Sequence, residues 1–102
     1  MNVIVWSARA AMNVREIEDY IALDDPIAAT RWALRLHDAV DVTRRHSHAG
    51  RAVPELSRDD VREIICGRYR IVYVVRPRVI GVLTVFEGHR RLPRDLDPDR
   101  DR

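Results

Sequence analysis

The residues of this chain best equipped for chemistry are concentrated in its last third. His89 is followed directly by Arg90 and Arg91, Arg70 stands inside an apolar run, and Arg62 and Arg68 lie just before it. A guanidinium stays protonated and forks onto carboxylates or phosphates, so Arg62, Arg68, Arg70, Arg90 and Arg91 are candidates for gripping a target or a partner. Arginine cannot serve as a general base. Cleavage of RNA would need another group to take a proton from a 2′-hydroxyl and one to protonate the leaving oxygen. His89, with Arg70 and Arg90 to hold the phosphate, is the set best suited to that, with Glu87, Glu63 or a tyrosine as the other candidates for the base. Arg70 has a competing structural reading, an ion pair with Glu63 across a hairpin. No complete acid–base pair emerges, so no residue is assigned a catalytic role outright.

Other reactive residues point to little chemistry. His46 and His48 are two potential metal ligands with no third at ligand spacing, so no metal is expected. Cys66 reads as a plain buried thiol; as the single cysteine it excludes an internal disulfide. No glycine-rich phosphate loop, nucleophile elbow or dinucleotide fingerprint is present, and no cofactor is expected. All 18 basic residues are arginine. Residues 58–94 carry nine arginines against four acids, a net +5, whereas 1–57 carry a net −1 and 95–102 a net −2. The basic third is therefore an expected contact surface for an acidic partner. No apolar run reaches the ~20 residues of a membrane span. The N-terminus lacks the features of a signal peptide, so a cytoplasmic location is expected.

These residues need elements to position them. Asn2–Trp6, rich in β-branched residues, reads as a first strand. Ser7 stands where an N-cap belongs, and Val14, Ile17 and Ile21, with Tyr20 beside them, form one apolar helical face. Asp25 and Pro26 are an N-cap and a first helical position, followed by the stripe Ala29, Trp32, Ala33, Leu36 and Val40, with the helix expected to end near Arg44–His46. Two amphipathic helices so closely joined form an antiparallel hairpin. Ser47–Arg58 reads as loop. Val61–Cys66, Tyr69–Val75 and Val79–Phe86 are strands joined by the turns Gly67-Arg68 and Pro77-Arg78, an antiparallel meander. The last strand is apolar on both faces and belongs inside the sheet. The fold class that follows is α+β: an N-terminal strand and a two-helix hairpin on a largely antiparallel sheet of three to four strands. Trp32, Leu36, Ile17, Ile71, Val82 and Leu83 are its expected core. Residues 1–93 form one domain, and the charged tail 94–102 is expected to fray.

Four segments carry a family resemblance: Tyr20-Ile21-Ala22 with Asp25-Pro26 and Ala28-Ala29; Gly50-Arg51 with Val53-Pro54-Glu55-Leu56; Val61 to Ile64 with Gly67-Arg68-Tyr69-Arg70-Ile71-Val72-Tyr73; and Gly88-His89-Arg90-Arg91-Leu92-Pro93. In order and spacing they resemble the RelE/ParE toxin superfamily over about residues 2–93. The resemblance implies a cytoplasmic toxin of a type II toxin–antitoxin system, associated with plasmid stabilisation and growth arrest and silenced by a co-expressed antitoxin. It also implies one of two mechanisms, ribosome-dependent mRNA cleavage (RelE-like) or inhibition of DNA gyrase (ParE-like). RelE-like nucleases resemble this chain at Tyr69-Arg70 and Arg90. They also carry extra basic residues where Val61 and Glu63 stand here, and a C-terminal tyrosine where this chain offers Leu92 and Leu96. The ParE-like reading is therefore preferred: a ParD-like antitoxin as partner, gyrase as target, and a homodimer or a 2:2 or larger toxin–antitoxin complex. The RelE-like nuclease and an inactive relic or non-toxic binding module are the alternatives.

Overall fold

The computed structural model describes residues 1–101. Strand β1 (Val3–Trp6) runs into helix α1 (Ala8–Ala22), whose N-terminus is capped by Ser7; the Ser7 hydroxyl accepts from the Ala10 amide at 3.0 Å and donates to the Leu83 carbonyl at 3.0 Å. One side chain thus starts the helix and fastens it to the sheet. Asp25 caps α2 (Pro26–Asp41), accepting from the amides of Ile27 and Ala28, with Pro26 where no amide hydrogen is needed. The α-helix ends at Asp41 and tightens into a 3-10 turn, Val42–Arg44, so the expected end near Arg44–His46 holds only if that turn is counted.

The sheet has five strands, one more than the upper expectation. Its order is β1-β5-β4-β3-β2, with β2 Arg51–Ala52, β3 Val61–Cys66, β4 Tyr69–Arg76 and β5 Val79–Glu87. β2 falls in the stretch read as loop: two residues pairing with Arg62 and Glu63 carry no alternation for a sequence pattern to reveal. β1 pairs parallel to β5 and every other pairing is antiparallel, so the doubly apolar β5 does lie between two strands.

The two faces of the sheet are covered differently. Beneath the helices, Leu36, Val40, Tyr69, Ile71, Val82 and Val85 form the main core, with Ile17 and Trp32 partly buried against it. Leu83 belongs to a second cluster on the opposite face, with Val53, Val61, Val72 and Val74, covered by Leu56, Phe86, Leu92 and Leu96. A register irregularity between Val72 and Tyr73, opposite Leu83, shifts the alternation of β5, so that Val82 and Val85, three residues apart, both face the helices. The tail expected to fray lies instead along this second face. Asp95 forks onto Arg9, Asp99 holds Arg58 and Arg76, and Pro98 is buried. Charge alternation reads as disorder in one dimension, but here the carboxylates meet arginines far away in sequence.

Candidate functional site

Arg70 is not available to a ligand. It lies on β4, on the face away from the helices, and its side chain is only 8% exposed. Its Nε and Nη2 donate to Glu63 Oε1 at 2.9 and 2.6 Å, and Nη1 and Nη2 donate to Glu55 at 3.0 and 2.7 Å. Phe86 lies under the guanidinium at 4.9 Å, and Arg51 completes the cluster from β2, donating to Glu63 Oε2 at 2.6 Å. Two arginines and two glutamates leave no net charge. The hydrogen bond to Arg70 holds the Glu55 carboxyl down at about 2, and the same carboxylate raises the Arg70 pKa further. The Glu63 pairing expected from sequence is present, on the diagonal of the β3–β4 hairpin. Glu55, from the loop, is the partner that no local pattern announced. As a gripping residue and as a phosphate-holding cation, Arg70 is corrected to a structural role.

Arg62 is likewise engaged. Its Nε donates to the Gly50 carbonyl at 2.8 Å and its Nη1 to Asp59 at 3.1 Å. The Tyr73 hydroxyl accepts from the Gly50 amide and donates to the Ser47 carbonyl, so Arg62 and Tyr73 together pin the loop leading into β2. Gly50 has no room for a side chain: a Cβ there would collide with the Glu63 carbonyl oxygen. Arg62 holds the fold at this point; it is not a free cation.

The remaining candidates converge at one end of the molecule. Gly67, at φ 59° and against the Trp32 ring, makes the two-residue β3–β4 turn that presents Arg68. The Arg68 carbonyl accepts from the Gly88 amide at 2.7 Å, which ties the segment after β5 to that turn and brings Arg90 beside Arg68. Both line an open groove of about 530 Å³ with Asn13, Ile17 and Tyr20 of α1 and with Tyr69 and Phe86, and the carboxylates Glu16 and Glu87 line it too. On the other side of the same segment, Arg91 and Arg94 line a second open cleft with Glu55, Leu56, Leu92 and Leu96. Among the described residues, Arg68, Arg90, Arg91 and Arg94 have no ion-pair partner. The segment Glu87–Leu96 is thus a ridge with unpaired arginines on both flanks.

His89 sits on this ridge, 73% exposed, with Nδ1 3.6 Å from Glu87 Oε2. Arg70 reaches the ridge only through a long bond, 3.4 Å, to the Arg90 carbonyl, while the Arg90 side chain lines the groove beside α1. The His89, Arg70 and Arg90 set is therefore not assembled around one point. Two contributors, Tyr20 and Arg94, and one neighbour of the β3–β4 turn, Arg35, were missed from sequence. Tyr20, 76% exposed, looked like part of a core stripe because it neighbours Ile17 and Ile21. Arg94 was assigned to the tail. Arg35 stacks on the Trp32 ring at 4.2 Å, beside Gly67, and only the α2–β3 packing reveals that position. No group of three or more histidine, cysteine or acidic side chains suited to a metal occurs among the described residues. Nor, among them, is any helix long and apolar enough to cross a membrane.

Comparison with known proteins places this geometry in context. The family model for the ParE toxin of the type II toxin–antitoxin system, parDE, matches residues 4–92. Toxin Y4kP of Sinorhizobium fredii is 36% identical over 98 residues, spanning 91% of this chain and 95% of that protein. Toxin RelE2 of Caulobacter vibrioides is 33% identical over 88 residues, spanning 85% of this chain and 96% of its own length. A chain from the chromosomal ParDE TA system of P. aeruginosa superposes with a TM-score of 0.71 over 85% of this chain and 96% of that one. At 20% identity, that last likeness is one of fold.

Proposed function

Because the chain belongs to the ParE toxin family of type II toxin–antitoxin systems, we propose that it arrests growth by binding and inhibiting DNA gyrase, without cutting RNA, and that a cognate ParD-like antitoxin neutralises it. The observation that carries this reading is the closure of Arg70. A nuclease of the RelE-like kind would use that cation on phosphate, but here Glu55 and Glu63 already take its donors. A phosphate entering the site would meet two carboxylates and a buried guanidinium whose charge is already matched. His89 is 73% exposed and its nearest charged partner is Glu87, so no general acid is held against a free phosphate-binding arginine.

What remains exposed suits binding. Unpaired guanidiniums at Arg68, Arg90, Arg91 and Arg94 offer charge-assisted hydrogen bonds to carboxylates, with Tyr20 and Ile17 as an apolar floor for the same partner. We assign the gyrase contact to the ridge Glu87–Leu96 and the antitoxin to the basic end that includes Arg68 and Arg90, in a 2:2 or larger complex within the cytoplasm.

Induction in a host lacking the antitoxin tests the mechanism. The expected result is filamentation with a DNA-damage response, together with inhibition of purified gyrase in a supercoiling assay. Rapid translation arrest with mRNA cut at codons on the ribosome would refute the reading. Loss of that cutting in Arg90→Ala or His89→Ala would then locate a nuclease site on the ridge. A neighbouring reading frame encoding a short ribbon-helix-helix protein that binds this chain would support the antitoxin assignment.

A further inference from the structure

The family match ends at residue 92, and the acidic tail beyond it is the part of this chain that the family does not explain. Its sequence alternates carboxylates with apolar residues, Asp95-Leu96-Asp97-Pro98-Asp99. The structure lays each kind on a matching receptor. Leu96 packs against the second apolar cluster of Val53, Val61, Val72, Val74 and Leu83, and Pro98 is buried. Asp95 accepts two hydrogen bonds from Arg9 at 3.1 and 2.9 Å. Asp99 accepts from Arg58 at 3.0 and 3.2 Å and from Arg76 at 2.7 Å.

We propose that the sheet face opposite the helices, bordered by Arg9 at the start of α1, is a second interaction surface, built to take an extended acidic segment with apolar residues between its carboxylates. The tail occupies it in cis, and the acidic segment of the neutralising partner displaces the tail. This rests on the reading above that an antitoxin silences the chain.

Three features make the tail exchangeable rather than a permanent cover. Its carboxylates are exposed, Asp95 by 78% and Asp99 by 65%, and an exposed ion pair is worth at most about fivefold in an equilibrium. Arg58 and Arg76 both hold Asp60 as well, at 2.8 Å, so losing Asp99 leaves neither arginine orphaned. Finally, the tail is not sealed along its length. The cleft lined by Leu56, Leu92, Pro93 and Leu96 opens beside it, with Arg91 and Arg94 unpaired at the mouth. An incoming acidic segment is steered there by two free cations and can replace the tail stepwise.

The test uses the full chain and two variants, Asp95→Asn/Asp99→Asn and the same pair with Leu96→Ser added. The probe is a fluorescein-labelled peptide of residues 93–101 supplied in trans, with a scrambled peptide as control. In the wild type the tethered tail competes at an effective concentration in the millimolar range, so the probe binds poorly. The triple variant is expected to bind it at least tenfold tighter than the wild type, and the double variant about threefold tighter. Adding Arg9→Ala and Arg58→Ala should remove the gain. Equal affinity across wild type and both variants overturns the proposal, as does equal binding of the scrambled peptide. With the antitoxin, backbone heteronuclear NOEs of Leu96, Asp97 and Asp99 are expected to collapse on complex formation. An antitoxin that binds while those amides stay ordered also overturns it, leaving the antitoxin reading intact. An antitoxin that fails to bind at all defeats that reading instead, and the peptide experiment still decides whether this surface exists.

Discussion

Arg70 changed meaning once its surroundings were visible. An arginine within an apolar strand is compatible with phosphate binding or with structural pairing; the deciding fact is that Glu63, on the adjacent strand, has a fully buried side chain. Removing Arg70 leaves that carboxylate with Arg51 alone. Arg70→Ala should therefore destabilise the fold by about 3 kcal/mol, the low end of the range for breaking a buried pair because Arg51 remains. Chemical denaturation measures it, and the double change Arg70→Met/Glu63→Gln should recover most of the loss. A single variant of wild-type stability would return Arg70 to the list of free cations. Acid should reach the same cluster. Glu55 is held at about 2 against an ordinary 4.5, principally by its hydrogen bond to Arg70. Asp60 is likewise depressed, principally by its hydrogen bond to Arg58. Groups with lowered folded-state values contribute stability that is fully present above their ordinary values and is lost as pH falls through the folded ones. Stability should decline between about pH 4.5 and 2, and Glu55→Gln should flatten that slope; an unchanged slope in the variant would assign the acid sensitivity elsewhere.

Among the elements, the meander shows how turn chemistry and register divide the work. Its two turns were legible because glycine and proline punctuate the strands, and pairing of Cys66 with Tyr69 and of Arg76 with Val79 confirms both. The second carries an unexpected strain. Arg78 follows Pro77 at φ 61°, a left-handed conformation that costs a side-chain-bearing residue about 1–2 kcal/mol. Arg78→Gly should raise stability by about 0.5–1 kcal/mol, the relief of that strain less the greater entropy glycine has in the unfolded chain. A midpoint unchanged or lowered in denaturant would contradict it. The helices were legible from their caps and stripes, Ser7 and Asp25 both capping as expected. β2 was not, since two residues carry no period, and the Leu83 register irregularity was not, since alternation alone assigns every second residue to one face.

At the scale of the whole molecule, the charge segregation read from the chain survives only in part. Of the nine arginines in the basic third, Arg58, Arg62, Arg70 and Arg76 are spent on internal carboxylates; four of the five free ones, Arg68, Arg90, Arg91 and Arg94, gather at one end, and Arg78 stands apart in the β4–β5 turn. Association with an acidic partner should be steered by that end. Its rate should fall steeply with added salt, and Arg68→Glu/Arg90→Glu should lower it roughly tenfold at low ionic strength. The double change Arg15→Glu/Arg45→Glu, at two exposed arginines elsewhere, serves as the charge-matched control. Stopped-flow kinetics with the antitoxin measures this; equal rates for the two variants would mean that net charge alone, and not this end, does the steering.

Hydrophobic period, capping residues and turn residues act over a few positions, so the sequence by itself determined the helical hairpin, the meander, the interior place of β5 and the family. Ion pairs obey no such locality. Whether an arginine is free depends on which carboxylate the fold brings to it. Glu55 comes to Arg70 from 15 residues away, Asp99 to Arg76 from 23 and Asp95 to Arg9 from 86. The candidate site was therefore legible as a stretch of chain, the ridge after β5, but not as a set of available side chains. Tertiary structure decided that Arg62 and Arg70 hold the fold and that Arg68, Arg90 and Arg91 face outward. It also gave the tail a seat on the second face of the sheet, because only the folded chain sets its aspartates against arginines and its Leu96 against the apolar cluster.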